Sequence, residues 1–161
     1  MEGPLYVLRN YITHMRMAEQ IERTTGPIIE TETQPTGWRK PEKGWYKLNT
    51  DGARNRPTGD AAAGGLIRDE HGFWMGGFQA SLGSISVLNA ELKAIQLGLQ
   101  IAWGKGFGKI IVETDSAEVF QILQSEREET ENSTLEQIRA LMDKDWEVKI
   151  MRTERKMERL C

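Results

Sequence analysis

A segment with helical periodicity that runs directly into an unbroken apolar stretch is the feature that most constrains the fold of this chain. Between residues 88 and 103 apolar side chains recur at steps of three and four, with Ser86 as a candidate cap before them and Gly104 after them. The following stretch, Ile-Ile-Val at residues 110–112, is typical of a central strand covered on both faces. Because a strand that follows such a helix usually joins a sheet parallel to an earlier strand, an α/β fold is expected.

Three strands are predicted before this helix. The segment WYKLNTD at residues 45–51 alternates polar and apolar side chains, and two further candidate strands occupy residues 61–68 and 73–80. The acidic and glycine-containing residues 69–72 favour a tight reversal between the second and third strands. We therefore expect these three strands to pair antiparallel.

Two shorter helices and a last strand are predicted after the apolar stretch. Apolar residues between 119 and 123 indicate the first helix, and Ser133 with Glu136 forms a candidate capping box for the second. Residues 146–151 then alternate as a strand. This order predicts a mixed five-stranded sheet, three antiparallel strands and then parallel ones, with helices on both faces.

The two ends of the chain differ in composition from the middle. Residues 1–25 carry apolar side chains at roughly helical spacing and are interpreted as an amphipathic helix. Residues 26–44 contain prolines, glycines and threonines and are interpreted as a linker. The main domain is then 45–152, followed by a charged tail at 153–161. The apolar stripe of the first helix predicts docking on its own domain, on a neighbouring domain or on a partner.

Composition narrows the class of protein. A net charge of −3 argues against binding nucleic acid through a broad basic face, so such binding must be local or assisted by metal. The single cysteine, Cys161, excludes an internal disulfide and a cysteine-clustered zinc site.

No apolar stretch is long enough to cross a bilayer, and polar residues interrupt the N-terminal segment where a secretory signal would be apolar. An intracellular location, nuclear or cytoplasmic, is expected.

Three carboxylates stand at the ends of predicted elements. Asp51 and Asp115 end strands, and Glu91 lies in the first turn of the helix between those strands. Each has a structural explanation: a turn with Gly52, an acid favoured by the helix dipole, and a helix cap completed by Glu118. Together they occupy the edge where open α/β sheets bind ligands, and gathered carboxylates need cations, of which hard Mg²⁺ prefers oxygen ligands. The pattern therefore predicts a metal site.

These segments resemble a known family. The ordered stretches KLNTDGA, AAAGGLIRDEHGFWMGGF, NAELKAIQLGLQIAWGKGF and IIVETDSAEV, within residues 45–151, resemble the ribonuclease H-type domains of plant genomes, often attached to retroelement reverse transcriptases. The resemblance implies a ribonuclease H-like fold and an endonuclease that cleaves the RNA strand of RNA–DNA hybrids with two Mg²⁺ or Mn²⁺ ions. It implies that Asp51, Glu91 and Asp115 are catalytic and hold metal, and that Gly52 and Glu91 lie near the RNA minor groove.

Positive side chains flank the carboxylate segments. Arg54, Arg56 and Lys93 are candidate contacts for substrate phosphates, with ordinary surface charge as the alternative explanation. The segment SEREETEN at residues 125–132 is mostly acidic, where bacterial members of the family often carry a basic protrusion. An acidic segment there is expected to face away from a hybrid.

The resemblance also implies features that this sequence does not carry. Beyond the last strand the family continues with a histidine, an Arg-Asn segment and a final helix with a fourth metal-binding aspartate, whereas Arg152 stands at the histidine position here. We expect a fold without that final helix and with one weakened metal position. Two alternatives to an active enzyme are a degenerate remnant that binds nucleic acid without cutting, and an interaction module that acts through the N-terminal helix.

Overall fold

The computed structural model describes residues 38–153, so the predicted N-terminal helix and almost all of the charged tail lie outside the described residues. The strands are β1 (Tyr46–Arg54), β2 (Asp60–Arg68), β3 (Trp74–Ser84), β4 (Lys109–Thr114) and β5 (Glu147–Arg152), and the helices are α1 (Val87–Gly104), α2 (Ala117–Gln124) and α3 (Ser133–Met142).

One sheet holds all five strands in the order β3-β2-β1-β4-β5. Strands β1, β2 and β3 pair antiparallel, while β4 pairs in parallel with both β1 and β5. Helix α1 makes the crossover from the antiparallel part to β4. The predicted mixed sheet of three antiparallel strands followed by parallel ones is therefore confirmed.

Among residues 38–153, no helix has the length and apolar character that a membrane crossing requires.

Polar side chains cap the N-terminus of each described helix. Ser86 caps α1, as predicted, by accepting a hydrogen bond from a backbone amide at 3.1 Å. The cap of α2 is Ser116, not Asp115, and the cap of α3 is Asn132, not Ser133. The two assignments from sequence were wrong by one residue because aspartate, asparagine and serine are nearly equivalent caps when they stand side by side. The helix-cap explanation of Asp115 is thereby removed.

The hydrophobic core lies between the helices and one face of the sheet. Helix α1 rests on β1 and β2, α3 packs beside α1, and α2 covers β5 and β4. The side chains that fill this layer are buried and belong to both sheet and helices; among them are Leu48, Ile67, Leu92, Ile95, Leu99, Ile110, Val112, Val119, Ile138 and Ile150. All three described helices thus pack on one core, and α1 lies over the middle of the sheet.

The opposite face of the sheet carries buried polar side chains and is partly covered by residues 38–44. Strand alternation and the parallel register place Lys47, Asn49 and Glu113 on this face. The Trp38 indole donates a hydrogen bond to Asn49 Oδ1 at 2.7 Å. Residues 38–44, the described part of the predicted linker 26–44, contact the domain here and form neither helix nor strand.

The acidic connection between α2 and α3 is tied to the end of α3. Arg127 donates two hydrogen bonds to the Asp143 carboxylate, at 2.5 and 2.6 Å, and Arg139 donates to the Glu128 carbonyl at 3.2 Å. The hydrogen bond from Arg127 lowers the pKa of the Asp143 carboxyl and raises the pKa of Arg127 itself. Both side chains are exposed, so this pair orients the connection more than it stabilises the fold.

The packing of α1 on β1 generates a prediction about Gly98. A Cβ at this position would lie 2.5 Å from Leu48 Cδ2 inside the core. We expect Gly98→Ala to lower the melting temperature, because overpacking costs about 1–3 kcal/mol, which exceeds the roughly 1 kcal/mol by which alanine favours a helix. Circular dichroism during heating measures this. The matched control is Gly104→Ala in the same helix, where a Cβ would have no atom within 4 Å. Equal stability of the two variants would contradict the described packing.

The pair of Arg127 and Asp143 generates a prediction about pH. Because the folded-state pKa of Asp143 is lowered, its contribution to stability is present above the pKa of an unfolded aspartate and is lost as pH falls through the lowered pKa. NMR titration of the carboxyl carbon is expected to show this low pKa, and Arg127→Gln should raise it toward the ordinary value. Lys144→Gln removes a neighbouring positive charge and serves as the control. An unchanged Asp143 pKa in Arg127→Gln would refute the assignment.

Candidate metal and nucleic-acid site

Asp51 and Asp115 both lie near the carboxyl end of the parallel strands. Strands β1 and β4 pair from Tyr46 opposite Ile110 to Asn49 opposite Glu113. Each aspartate follows the last pair of this ladder by two residues. Ligand sites in open α/β sheets form at this kind of edge. The parallel pairing therefore puts two of the three predicted acids near the same edge.

Gly52 brings the third acid to the same place. A Cβ on Gly52 would lie 2.5 Å from the Glu91 amide nitrogen and 2.8 Å from Glu91 Cα. These distances are shorter than real side chains tolerate, so α1 can rest on β1 at Ala90 and Glu91 only because residue 52 has no side chain. The main chain of Glu91 is consequently a direct neighbour of the Asp51-Gly52 peptide. Glu91 follows the first turn of α1, which contains no acid, so its predicted first-turn position was wrong.

The bend that carries Asp115 is fixed on both sides. The Ser116 amide donates to Thr114 Oγ1 at 3.1 Å, and the Ser116 side chain caps α2. From the other side, the Thr153 amide donates to the Thr114 carbonyl at 2.9 Å. Asp115 thus sits between a strand end and a helix start that are both hydrogen-bonded.

The donor chemistry of this edge fits a hard divalent cation. Asp51, Glu91 and Asp115 are all half-buried, so they are reachable from solvent while their main chains are held. Carboxylate oxygens are the ligands that Mg²⁺ and Mn²⁺ prefer. Across residues 38–153, however, no group of three or more histidine, cysteine, aspartate and glutamate side chains is arranged to hold a metal ion. The backbone puts the three acids near one end of the sheet, whereas a complete ligand cage is not formed.

Positive side chains surround the edge. Arg54 ends β1, is exposed, and donates from Nε to the Gly59 carbonyl at 3.4 Å. Arg56 is exposed in the turn that follows, and Lys93 lies half-buried in the second turn of α1. Arg152 is exposed at the end of β5 and pairs with Thr114, one residue before Asp115. The acids are thus flanked by charges that could contact phosphates.

A buried polar group directly behind the two aspartates was missed from sequence. Lys47 and Glu113 form an ion pair at 2.9 Å, with side chains only 5% and 6% exposed. Asn49 lies beside them. The signal was present, because strand alternation puts Lys47 and Asn49 in phase with Asp51. The partner Glu113 is 64 residues further along from Asn49, and periodicity within one segment does not reveal such a pairing.

Several solved structures share this fold at low sequence identity. Ribonuclease H1 from the archaeon Halobacterium salinarum NRC-1 matches with a TM-score of 0.60 and 23% identity, covering 69% of this chain and 86% of that one. The N-terminal ribonuclease H domain of a Mycobacterium tuberculosis protein matches with a TM-score of 0.63 and 17% identity, over 69% and 83%. LC11-RNase H1, solved in complex with an RNA/DNA hybrid, matches with a TM-score of 0.60 and 20% identity, over 68% and 86%. These similarities establish the ribonuclease H fold.

Sequence comparisons extend the similarity to a plant protein and to a family. An Arabidopsis thaliana protein named "Putative ribonuclease H protein" is 34% identical over 144 residues, and the match covers 85% of this chain and 23% of that protein. The chain therefore spans less than a quarter of that relative. The profile of the family described as reverse transcriptase-like matches residues 49–160, from the middle of β1 past the end of β5. Since this match covers most of the chain and the structure has the corresponding fold, the chain belongs to the reverse transcriptase-like family of ribonuclease H-fold domains.

Proposed function

We propose that this domain is a metal-dependent endoribonuclease that cleaves the RNA strand of RNA–DNA hybrids. The observation that carries the proposal is that Asp51 and Asp115 each follow the last pair of the parallel β1–β4 ladder by two residues, while the main chain of Glu91 lies against Gly52. The hybrid bound in the LC11-RNase H1 structure and the name of the Arabidopsis relative support this substrate class.

In the proposed mechanism Asp51, Glu91 and Asp115 would hold Mg²⁺ or Mn²⁺. The bound ions would supply the activation of water and the charge stabilisation that phosphodiester hydrolysis requires. The protein contributes position: the carboxylates of Asp51, Glu91 and Asp115 fix the cations, and no side chain acts as a nucleophile. Catalysis then depends on how accurately the strand ends and α1 are held.

Substrate recognition is proposed to come from groups beside the acids. Arg54 is exposed three residues after Asp51, and its guanidinium is suited to bind phosphate oxygens. We infer that Gly52 and Glu91 face the minor groove of the hybrid, where the 2′-hydroxyls distinguish RNA from DNA. Because the whole chain has a net charge of −3, such local contacts must supply most of the attraction.

A second candidate function is binding of nucleic acid without cleavage. Arg152 favours it, because this arginine is the β-sheet neighbour of Thr114 and so brings a positive charge close to Asp115. A fixed positive side chain can neutralise a carboxylate and bind a phosphate, but it does not activate water as a metal ion does. An interaction module acting through the N-terminal helix stays a prediction, since that helix lies outside the described residues.

Incubating the full chain with an RNA–DNA hybrid labelled on the RNA strand, with Mg²⁺ or Mn²⁺, tests the two candidates. We expect cleavage of the RNA strand that EDTA stops and that Asp51→Asn reduces to the level without enzyme. Asp60→Asn, an exposed acid at the start of β2, is the control and should keep activity. Fluorescence anisotropy measures hybrid binding in parallel. Binding by the unaltered chain with no cleavage at high enzyme concentration would establish the second candidate instead.

The Gly52 contact predicts a loss of activity from one added methyl group. In Gly52→Ala the new Cβ must displace α1 at Ala90 and Glu91, because the Glu91 amide nitrogen would lie 2.5 Å away. A displacement of about 1 Å at a reactive site can cost roughly 100-fold in rate, so we expect kcat/KM to fall by about that factor. Gly108→Ala, where nothing lies within 4 Å of the added Cβ, is the matched control. Full activity of a folded Gly52→Ala protein would refute the role of this contact.

A further inference from the structure

A chain of hydrogen bonds links Trp38, Asn49, Glu113 and Lys47 on the sheet face opposite the helices. Trp38 Nε1 donates to Asn49 Oδ1 at 2.7 Å, and Asn49 Nδ2 donates to Glu113 Oε1 at 3.1 Å. Lys47 Nζ lies 2.9 Å from Glu113 Oε2 and donates to the Arg39 carbonyl at 2.5 Å. We call these four residues, Trp38, Lys47, Asn49 and Glu113, the strand-end network.

The strand-end network joins β1 to β4 immediately before the two aspartates. Asn49 and Glu113 are the last directly opposed residues of the parallel ladder. Asp51 follows Asn49 by two residues and Asp115 follows Glu113 by two, so each aspartate continues the alternation of a network residue. The side-chain bond between Asn49 and Glu113 is therefore the last link between the strands before the candidate site.

Stability alone does not account for polar residues at these positions. Removing two charges from water costs several kcal/mol per ion, and well-packed apolar residues in place of a buried ion pair are often as stable or more stable. The Lys47–Glu113 pair, almost fully buried, carries this cost. A connected polar network instead fixes one arrangement of the strands, because each donor must lie opposite its own acceptor. A shift of β1 relative to β4 by one residue would break the two contacts that cross between the strands, Asn49 to Glu113 and Lys47 to Glu113.

Trp38 closes the network from the solvent side. Its ring lies 5.2 Å from Lys47 Nζ and 4.5 Å from the Arg68 guanidinium carbon, measured to the ring centroid. The ring thus shields the buried positive groups of Lys47 and Arg68, while its indole N–H donates to Oδ1, the acceptor atom of the Asn49 side chain. Through this contact the segment before β1 holds the orientation of the Asn49 amide.

We propose that Asn49 and Glu113 are positioning residues for the metal site. Their bond, held by Trp38 on one side and Lys47 on the other, sets the spacing of Asp51 and Asp115 and thereby the affinity for divalent cations. This inference rests on the proposed function, because it assigns a metal to those aspartates. Partners that orient the ligands of a metal typically contribute 10- to 100-fold to its affinity, which sets the size of the expected effect.

The first test measures Mn²⁺ binding to the full chain by electron paramagnetic resonance, with Asp51→Asn to identify binding at the site. We expect Asn49→Ala to weaken this binding by about 10- to 100-fold, and Trp38→Phe to weaken it by a smaller factor. Trp146→Phe is the matched control, because it removes an indole hydrogen bond of the same 2.7 Å length, to the Leu141 carbonyl. Unchanged Mn²⁺ affinity in folded Asn49→Ala, or an equal loss in Trp146→Phe, would overturn the proposal.

The second test separates this inference from the proposed function. Amide hydrogen exchange of the metal-free chain, resolved at residues 49–53 and 112–116, reports how firmly the strand ends are held. Faster exchange there in Asn49→Ala and Trp38→Phe, but not in Trp146→Phe, is expected. Exchange that matches the unaltered chain would overturn the positioning role even if Mn²⁺ binds. If the unaltered chain exchanges as expected but binds no Mn²⁺, the metal site is rejected while the network still fixes the strand ends.

Discussion

The distance between α1 and β1 is the constraint on which the rest of the structure depends. Two glycines set it: Gly98 on the helix admits the Leu48 side chain, and Gly52 on the strand admits the main chain of Glu91. Because α1 leads directly into β4, its height above the sheet also decides where β4 can join β1 in parallel. The close approach of helix and strand therefore puts the main chain of Glu91 beside Gly52, at the end of the sheet near which Asp51 and Asp115 follow the parallel ladder.

Most of the architecture was predictable because the local periodicity of apolar residues indicates each helix and strand. The alternation of residues 45–51, the three-and-four spacing of residues 88–103 and the apolar stretch at 110–112 each describe one element, and chain connectivity orders them. The caps at Ser116 and Asn132 were misplaced because adjacent residues have similar capping ability, and only the backbone decides between them. Such errors leave the topology unchanged.

What sequence reasoning missed depends on contacts between distant segments. Trp38 lies in a stretch rich in proline and glycine that has no periodicity, yet its indole meets Asn49, and Asn49 in turn meets Glu113. The three acids could be grouped from strand and helix ends alone, but the closeness of Glu91 to the strand follows from the missing side chain at Gly52. A glycine after an aspartate is equally typical of a turn, so the sequence alone did not indicate that Gly52 lies against the helix.

The contact of Trp38 with the sheet changes where the folded unit begins. A shorter chain starting at β1 would remove the carbonyl of Arg39 that accepts from Lys47 and the ring that covers both Lys47 and Arg68. Lys47 and Arg68, whose residues are now only 4% and 5% exposed, would then face water beside the buried Glu113 carboxylate. Residues 38–45 thus pack as part of the described domain, although their composition resembles that of a flexible linker.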